Sequence, residues 1–212
     1  MKPTPQFTDL SRLTKALRTW YVIAIAISIE LVVENLRVYW IVSHPQQYQF
    51  TSKDMAWHGL ITLSDLLLKA ITFILFMVWV FKSYRNAKII SPDATTSPAM
   101  AVVYYYIPFL SFYKPYQKMQ EVWKICTSPS RWQSEKGSSL VAAWWWLYLL
   151  SSLVEAVARR AEPGAKETDL TVYGISYLIN SAACLLNAIT YGLAALLIGR
   201  LWERMKSLSP TV

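Results

Sequence analysis

The chain has 212 residues, 54% of them apolar and 16% charged, with ten Trp and thirteen Tyr. A soluble domain carries about 25% charged residues, so this chain lacks the polar surface to cover itself, and two Cys cannot frame a disulfide-stapled secreted domain. The net charge of +8 sits in basic blocks between long apolar runs, which points to a membrane protein rather than a nucleic-acid binder.

A membrane-crossing helix needs about 20 mainly apolar residues. Four stretches qualify: 20–42, 60–81, 140–158 and 170–201. The first carries Glu30, Glu34 and Arg37, spaced i, i+4, i+7 on one helix face, and shows no small-residue cleavage site, so it is not a removable signal. The second carries a polar stripe of Thr62, Asp65, Lys69 and Thr72. A shorter apolar run at 98–112, interrupted by Pro108, reaches only about 22 Å as a helix and does not span. After it, Pro115 suits a first helical turn, and Tyr116, Met119, Trp123 and Cys126 recur on one face with Lys114, Lys118, Glu121 and Lys124 on the other. Such a helix lies in the headgroup plane or packs on the protein's own surface. The third span opens on Trp144, Trp145 and Trp146 and carries the i, i+4 pair Glu155 and Arg159. The fourth is longer than a bilayer requires, so it tilts or protrudes. It carries Asn180, Asn187 and the small residues Gly174, Ser181, Ala188, Gly192, Ala195 and Gly199, which allow close packing within the monomer or in a homo-oligomer.

Counting Lys and Arg orients these spans. With the N-terminus cytoplasmic and 98–112 not crossing, fifteen fall on the inner side and five on the outer side or outer helix ends, with Lys69 inside a span. If 98–112 crossed, the bias would collapse. The expected fold is therefore an all-α, four-transmembrane-helix bundle forming one membrane domain over residues 1–212. Both termini are cytoplasmic, and a re-entrant or interfacial helical element lies at about 98–127, between spans 2 and 3. The partners expected are the bilayer and anionic lipid on the cytoplasmic face.

The motif order is itself distinctive. Residues 79–87 read WVFKSYRNA and include Tyr84, Arg85 and Asn86. Pro98 is followed by an aromatic run ending at Pro108, then by Lys114-Pro115-Tyr116 and by Glu121-Val122-Trp123. Over about 60–200 this order resembles the bacterial membrane family catalogued as domain of unknown function 4328. The resemblance implies a multi-pass protein of the bacterial plasma (inner) membrane; it implies no activity.

Ionisable side chains within spans are costly and mark function by default. At 1.5 Å per residue, Glu30 lies about 15 Å above the inner edge and Lys69 about 18 Å, with Glu34, Arg37, Asp65, Glu155 and Arg159 higher in the same half. This predicts an interhelical charge network facing the bundle interior, with Asn180 and Asn187 as supporting polar groups. Four carboxylates face three cations, so one acid is left over. Glu30, the deepest, is expected to be protonated or neutralised by a bound cation or cationic solute. Two function classes follow: a small channel or transporter-like protein with an ion-pair-lined cavity, or a non-transporting scaffold or sensor whose charges are structural. His44 and His58 flank the first outer loop without the spacing of metal or haem ligands, and Cys126 and Cys184 have no zinc pattern, so no cofactor is expected. No phosphate loop, nucleophile elbow or metalloenzyme motif occurs, and an enzyme is not expected.

Overall fold

The computed structural model describes residues 6–47, 51–161 and 170–209. Helix α1 runs Ser11–Ser43, α2 Ser52–Ile90, α3 Pro98–Val103, α4 Lys114–Thr127, α5 Ser139–Ala161 and α6 Leu170–Ser207. Single 3-10 turns lie at Leu110–Phe112 and Trp132–Ser134, and no strand occurs among the described residues. Helices α1, α2, α5 and α6 are long and apolar enough to cross a membrane. All four outrun the apolar windows read from the sequence: α1 begins nine residues earlier, α2 and α5 extend at both ends, and α6 continues to Ser207. In the polar flank 82–90, Lys82, Arg85, Ala87 and Lys88 are good helix formers and carry α2 past its apolar window. These helices expose Val22, Leu66, Ile74, Leu153 and Trp146 by 60% or more each. Apolar surface on that scale suits lipid, not water.

Local chemistry sets the helix starts. Thr51 and Asp54 form a reciprocal capping box at the head of α2: the Asp54 carboxylate accepts the Thr51 N–H at 3.0 Å, and the Thr51 hydroxyl accepts the Asp54 N–H at 3.3 Å. Ser97 caps α3 by accepting the Met100 N–H, with Pro98 in the first turn. The Pro108 break is sharper. Phe109 has φ 65° and ψ −45°, and the Leu110 N–H donates to the Pro108 carbonyl at 2.8 Å, a γ-turn with a left-handed centre. Such a conformation at a residue with a Cβ costs about 1–3 kcal/mol.

The chain divides into two compact units. The first comprises the described residues of Met1–Trp20, Ile71–Trp145 and Leu193–Val212. Its core is aromatic. Phe76 meets Trp79, Tyr105 and Trp144 at ring-centroid distances of 6.4, 6.0 and 5.7 Å. The Trp79 indole N–H donates to the Thr14 hydroxyl at 3.0 Å. Helix α4 buries Pro115, Met119, Val122, Ile125 and Cys126 in this unit, and burial pushes the Cys126 thiol up to about 12. Arg204 of α6 covers the Trp123 ring at 4.2 Å and donates to the Thr127 hydroxyl at 2.5 Å. The apolar face of α4 therefore packs on the protein itself. Glu121, expected on its solvated side, is buried, because the Thr95 loop folds over it.

The second unit comprises the described residues of Tyr21–Ala70 and Trp146–Gly192. Tyr21 stacks on Tyr191 at 5.8 Å, and the Asn35 amide reaches Cys184 Sγ at 3.9 Å. Gly174 admits the Tyr39 ring; a Cβ there would lie 3.3 Å from it. Ser181 and Ala188 of the same small-residue series are buried, whereas a Cβ on Gly192 would meet nothing within 4 Å.

Charge separates the units. Among the described residues the first holds fourteen Lys and Arg against five Asp and Glu, and the second holds five against five.

Candidate functional site

All seven ionisable residues singled out within the spans lie in the second unit. The structure sorts them into two groups and leaves one acid apart.

The first group is centred on Lys69 of α2. Its ammonium lies 2.9 Å from Asp65, one helical turn earlier, and 2.7 Å from Glu155 of α5. Asn187 of α6 donates to the same Glu155 oxygen at 2.5 Å. Arg159 adds a longer contact to the other Glu155 oxygen at 3.5 Å and is itself well exposed. Three helices thus meet at one carboxylate. Each has a reason to be there: an uncompensated charge in hydrocarbon is costly, and mutual pairing removes that cost.

The second group is centred on Arg37 of α1. It reaches Glu34 at 3.5 Å and, more closely, Asp54 of α2 at 2.5 Å. Asp54 precedes the apolar window of the second span, so hydropathy alone does not single it out. The Thr-x-x-Asp capping signature at residues 51–54 marks it as a helix-starting carboxylate, and that signal was legible.

Glu30 belongs to neither group. It is half-buried on the flank of α1, with no ion pair or hydrogen bond among the described residues. The nearest charges along its helix face are Glu34 and Arg37, and Arg37 is already shared. The single network anticipated from the sequence is thus two networks and a separate acid. Lys69, expected beside Glu30 and Glu34, pairs with Asp65 and Glu155 instead. Asn180 is half-buried and joins neither group.

The remaining candidates have local partners. His44 Nδ1 lies 2.9 Å from the Trp40 carbonyl oxygen, and its ring stacks on Trp40. His58 meets the edge of Tyr177 at 6.0 Å. Among the described residues no three His, Cys, Asp or Glu side chains converge as metal ligands.

The family-motif residues have a different use: they build a frame in the first unit. Asn86 is fully buried and clasps the residue before Asp9 at both ends: its Oδ1 accepts the Thr8 N–H at 2.9 Å and its Nδ2 donates to the Thr8 carbonyl at 2.8 Å. Glu121 accepts the Thr95 N–H at 2.6 Å, the Thr95 hydroxyl at 2.7 Å and the Lys118 ammonium at 2.8 Å. Burial opposes its ionisation, but these donors, Lys118 foremost, outweigh it and hold the carboxyl below its ordinary range. Beside this knot lies a small cavity lined by Trp79, Ser83, Tyr84, Tyr105, Lys118 and Met119, among others. About 10 Å³ is open to the centre of a water molecule, enough for one water and not for a substrate.

A family model, that of Domain of unknown function (DUF4328), matches residues 42–203. No curated protein and no solved structure matches the chain.

Proposed function

We propose a function on the premise that this chain belongs to the DUF4328 family, whose description carries no activity. It is a small channel or transporter-like protein of the bacterial plasma membrane, and its cation- or proton-accepting group is Glu30. The observation that carries this reading is that Glu30 forms no ion pair among the described residues, while Arg37, Lys69 and Arg159 are engaged by other acids. An intramembrane carboxylate without a partner calls for a proton, a cation or a cationic solute. Lys69, Glu155 and Asn187 form a separate clamp that joins three helices.

The threading that accompanies this reading puts the basic first unit on the cytoplasmic side, since fourteen cations against five acids is the bias the positive-inside rule describes. Both termini are then cytoplasmic, anionic lipid lies against that face, and the stretch 98–127 returns to the side it came from.

Flux through proteoliposomes tests the function. Under an imposed potential, wild-type protein should dissipate a proton or alkali-cation gradient, and Glu30→Gln should lose that flux while keeping its elution and helicity. Flux equal in the two proteins, or no flux above empty liposomes, overturns the proposal. A second reading, a non-transporting scaffold or sensor, is favoured by the closed pairing of Lys69. It predicts silent liposomes and a stoichiometric copurifying partner.

A further inference from the structure

The segment between α3 and α4 is short of the length of a span, yet its rings touch the interior of one. Tyr106 meets Phe73 at 5.9 Å, edge to face, and Tyr105 meets Phe76 at 6.0 Å. Phe73 lies eight residues before Phe81, the last residue of the apolar window of α2, which is about 12 Å along the helix. The turn at 104–106 therefore shares the level of residues well inside the apolar part of α2.

Irregular backbone survives at such a level only if its polar groups are satisfied within the protein. Here most of its N–H groups are. Those of residues 104–106 and 110–113 bond to carbonyls two to four residues back, whereas those of Ile107 and Phe109 meet no backbone acceptor among the described residues. Pro108 has no N–H to satisfy. The Phe112 carbonyl accepts the Trp145 indole N–H at 2.9 Å, so a tryptophan of α5 caps the loop from outside it.

The outward side of the same turn is apolar and unpaired. Phe109 is 81% exposed and Phe112 61%. A phenylalanine held in a left-handed turn and aimed away from the protein is the opposite of what water selects. Sequence around it agrees: residues 94–120 contain no Asp or Glu, and Lys114 follows the tip directly, with its ammonium 5.3 Å from the Tyr113 ring centroid.

We infer that residues 104–113 form a re-entrant aromatic wedge whose Phe109 and Phe112 side chains occupy the acyl-chain region of the cytoplasmic leaflet, with Lys114 at the level of the lipid phosphates. The aromatic contacts set the depth, the internal hydrogen bonds lower the cost of that depth, and the lysine marks the return to the headgroups. The inference rests on the threading proposed above and deepens it by naming what covers the tip.

Spin labels test it in the full chain, with Cys126→Ala and Cys184→Ser removing the native thiols. Labels replace Phe109, Tyr106 and Lys136 in turn, in nanodiscs of mixed zwitterionic and anionic lipid. Oxygen should collide with the label at 109 more often than a water-soluble nickel chelate does, and the order should invert at 136. Tyr106→Cys repeats the measurement if Phe109→Cys does not fold. A label at 109 reached readily by nickel overturns the wedge, as does one shielded from both relaxants, which would mean a second copy covers it. In sealed vesicles an impermeant reagent separates the two failures: outer-face labelling at 136 overturns the threading, whereas inner-face labelling with an aqueous tip overturns the wedge alone.

Discussion

At the scale of single residues, the side chains that define the family's motif order are structural fasteners. Glu121 is the clearest case. Its carboxylate holds Thr95 by two hydrogen bonds and Lys118 by an ion pair, and so closes the loop 91–97 onto α4. Its folded pKa is depressed, so the stability it contributes is present above the unfolded pKa and disappears as pH falls through the lower folded value. The thermal midpoint of the wild type in detergent should fall as pH is taken from 6 to 3, and Glu121→Gln should start lower and flatten that dependence. Equal slopes in the two proteins would remove Glu121 from the acid response. None of this was legible beforehand. Helical spacing put Glu121 among lysines on the solvated side of α4, and only the fold-back of Thr95, far along the chain, decides that the carboxylate faces inward. Phe109 was equally hidden: Pro108 announces a break, but nothing in the residue types announces a left-handed phenylalanine.

At the scale of elements, α2, α5 and α6 are tied through one carboxylate. Lys69 and Asn187 reach the same oxygen of Glu155 from different helices, and Asp65 balances the second half of the ammonium's charge. Removing the cation strands two acids at once. Lys69→Met should destabilise the folded state by about 3 kcal/mol, the lower range for breaking a largely covered pair. Adding Glu155→Gln, which leaves Asn187 an acceptor, should recover part of that loss. Unfolding titrations in mixed micelles read both values; a Lys69→Met protein as stable as the wild type would show that the pairing contributes nothing. The four long helices were legible because twenty apolar residues in a row have few other uses, and the i, i+4 charges were legible because helical periodicity aligns them. Which charge meets which was not. That depends on helix rotation, and α1 turns Arg37 toward Asp54, a residue outside any apolar window.

At the scale of the whole molecule, charge is the organising variable. The unit rich in Lys and Arg contains the loop frame and both ends of the described chain, while the unit containing the intramembrane acids is balanced. A distribution this uneven predicts one orientation. A cysteine introduced at Ser130 should react with an impermeant maleimide only in inside-out vesicles, and one at Gln47 only in right-side-out vesicles; labelling of both from one side would contradict the threading. The orientation expected for the four long apolar helices rests on a count of basic residues that does not depend on where the helices end, and the helices themselves were readable from sequence. The division into two units was not, since it depends on contacts that no hydropathy window records.

The Asn86 clasp has a consequence for biogenesis. Thr8 lies 78 residues ahead of the amide that holds it, and the Met205 sulfur lies 3.7 Å from the same amide nitrogen. A ribosome delivers Thr8 first, its holder Asn86 much later and the methionine later still. The two hydrogen bonds to Thr8 need only residues up to 86, but the packing around the Asn86 amide is completed only after residue 205 has been added, so its burial depends on a helix made more than a hundred residues later.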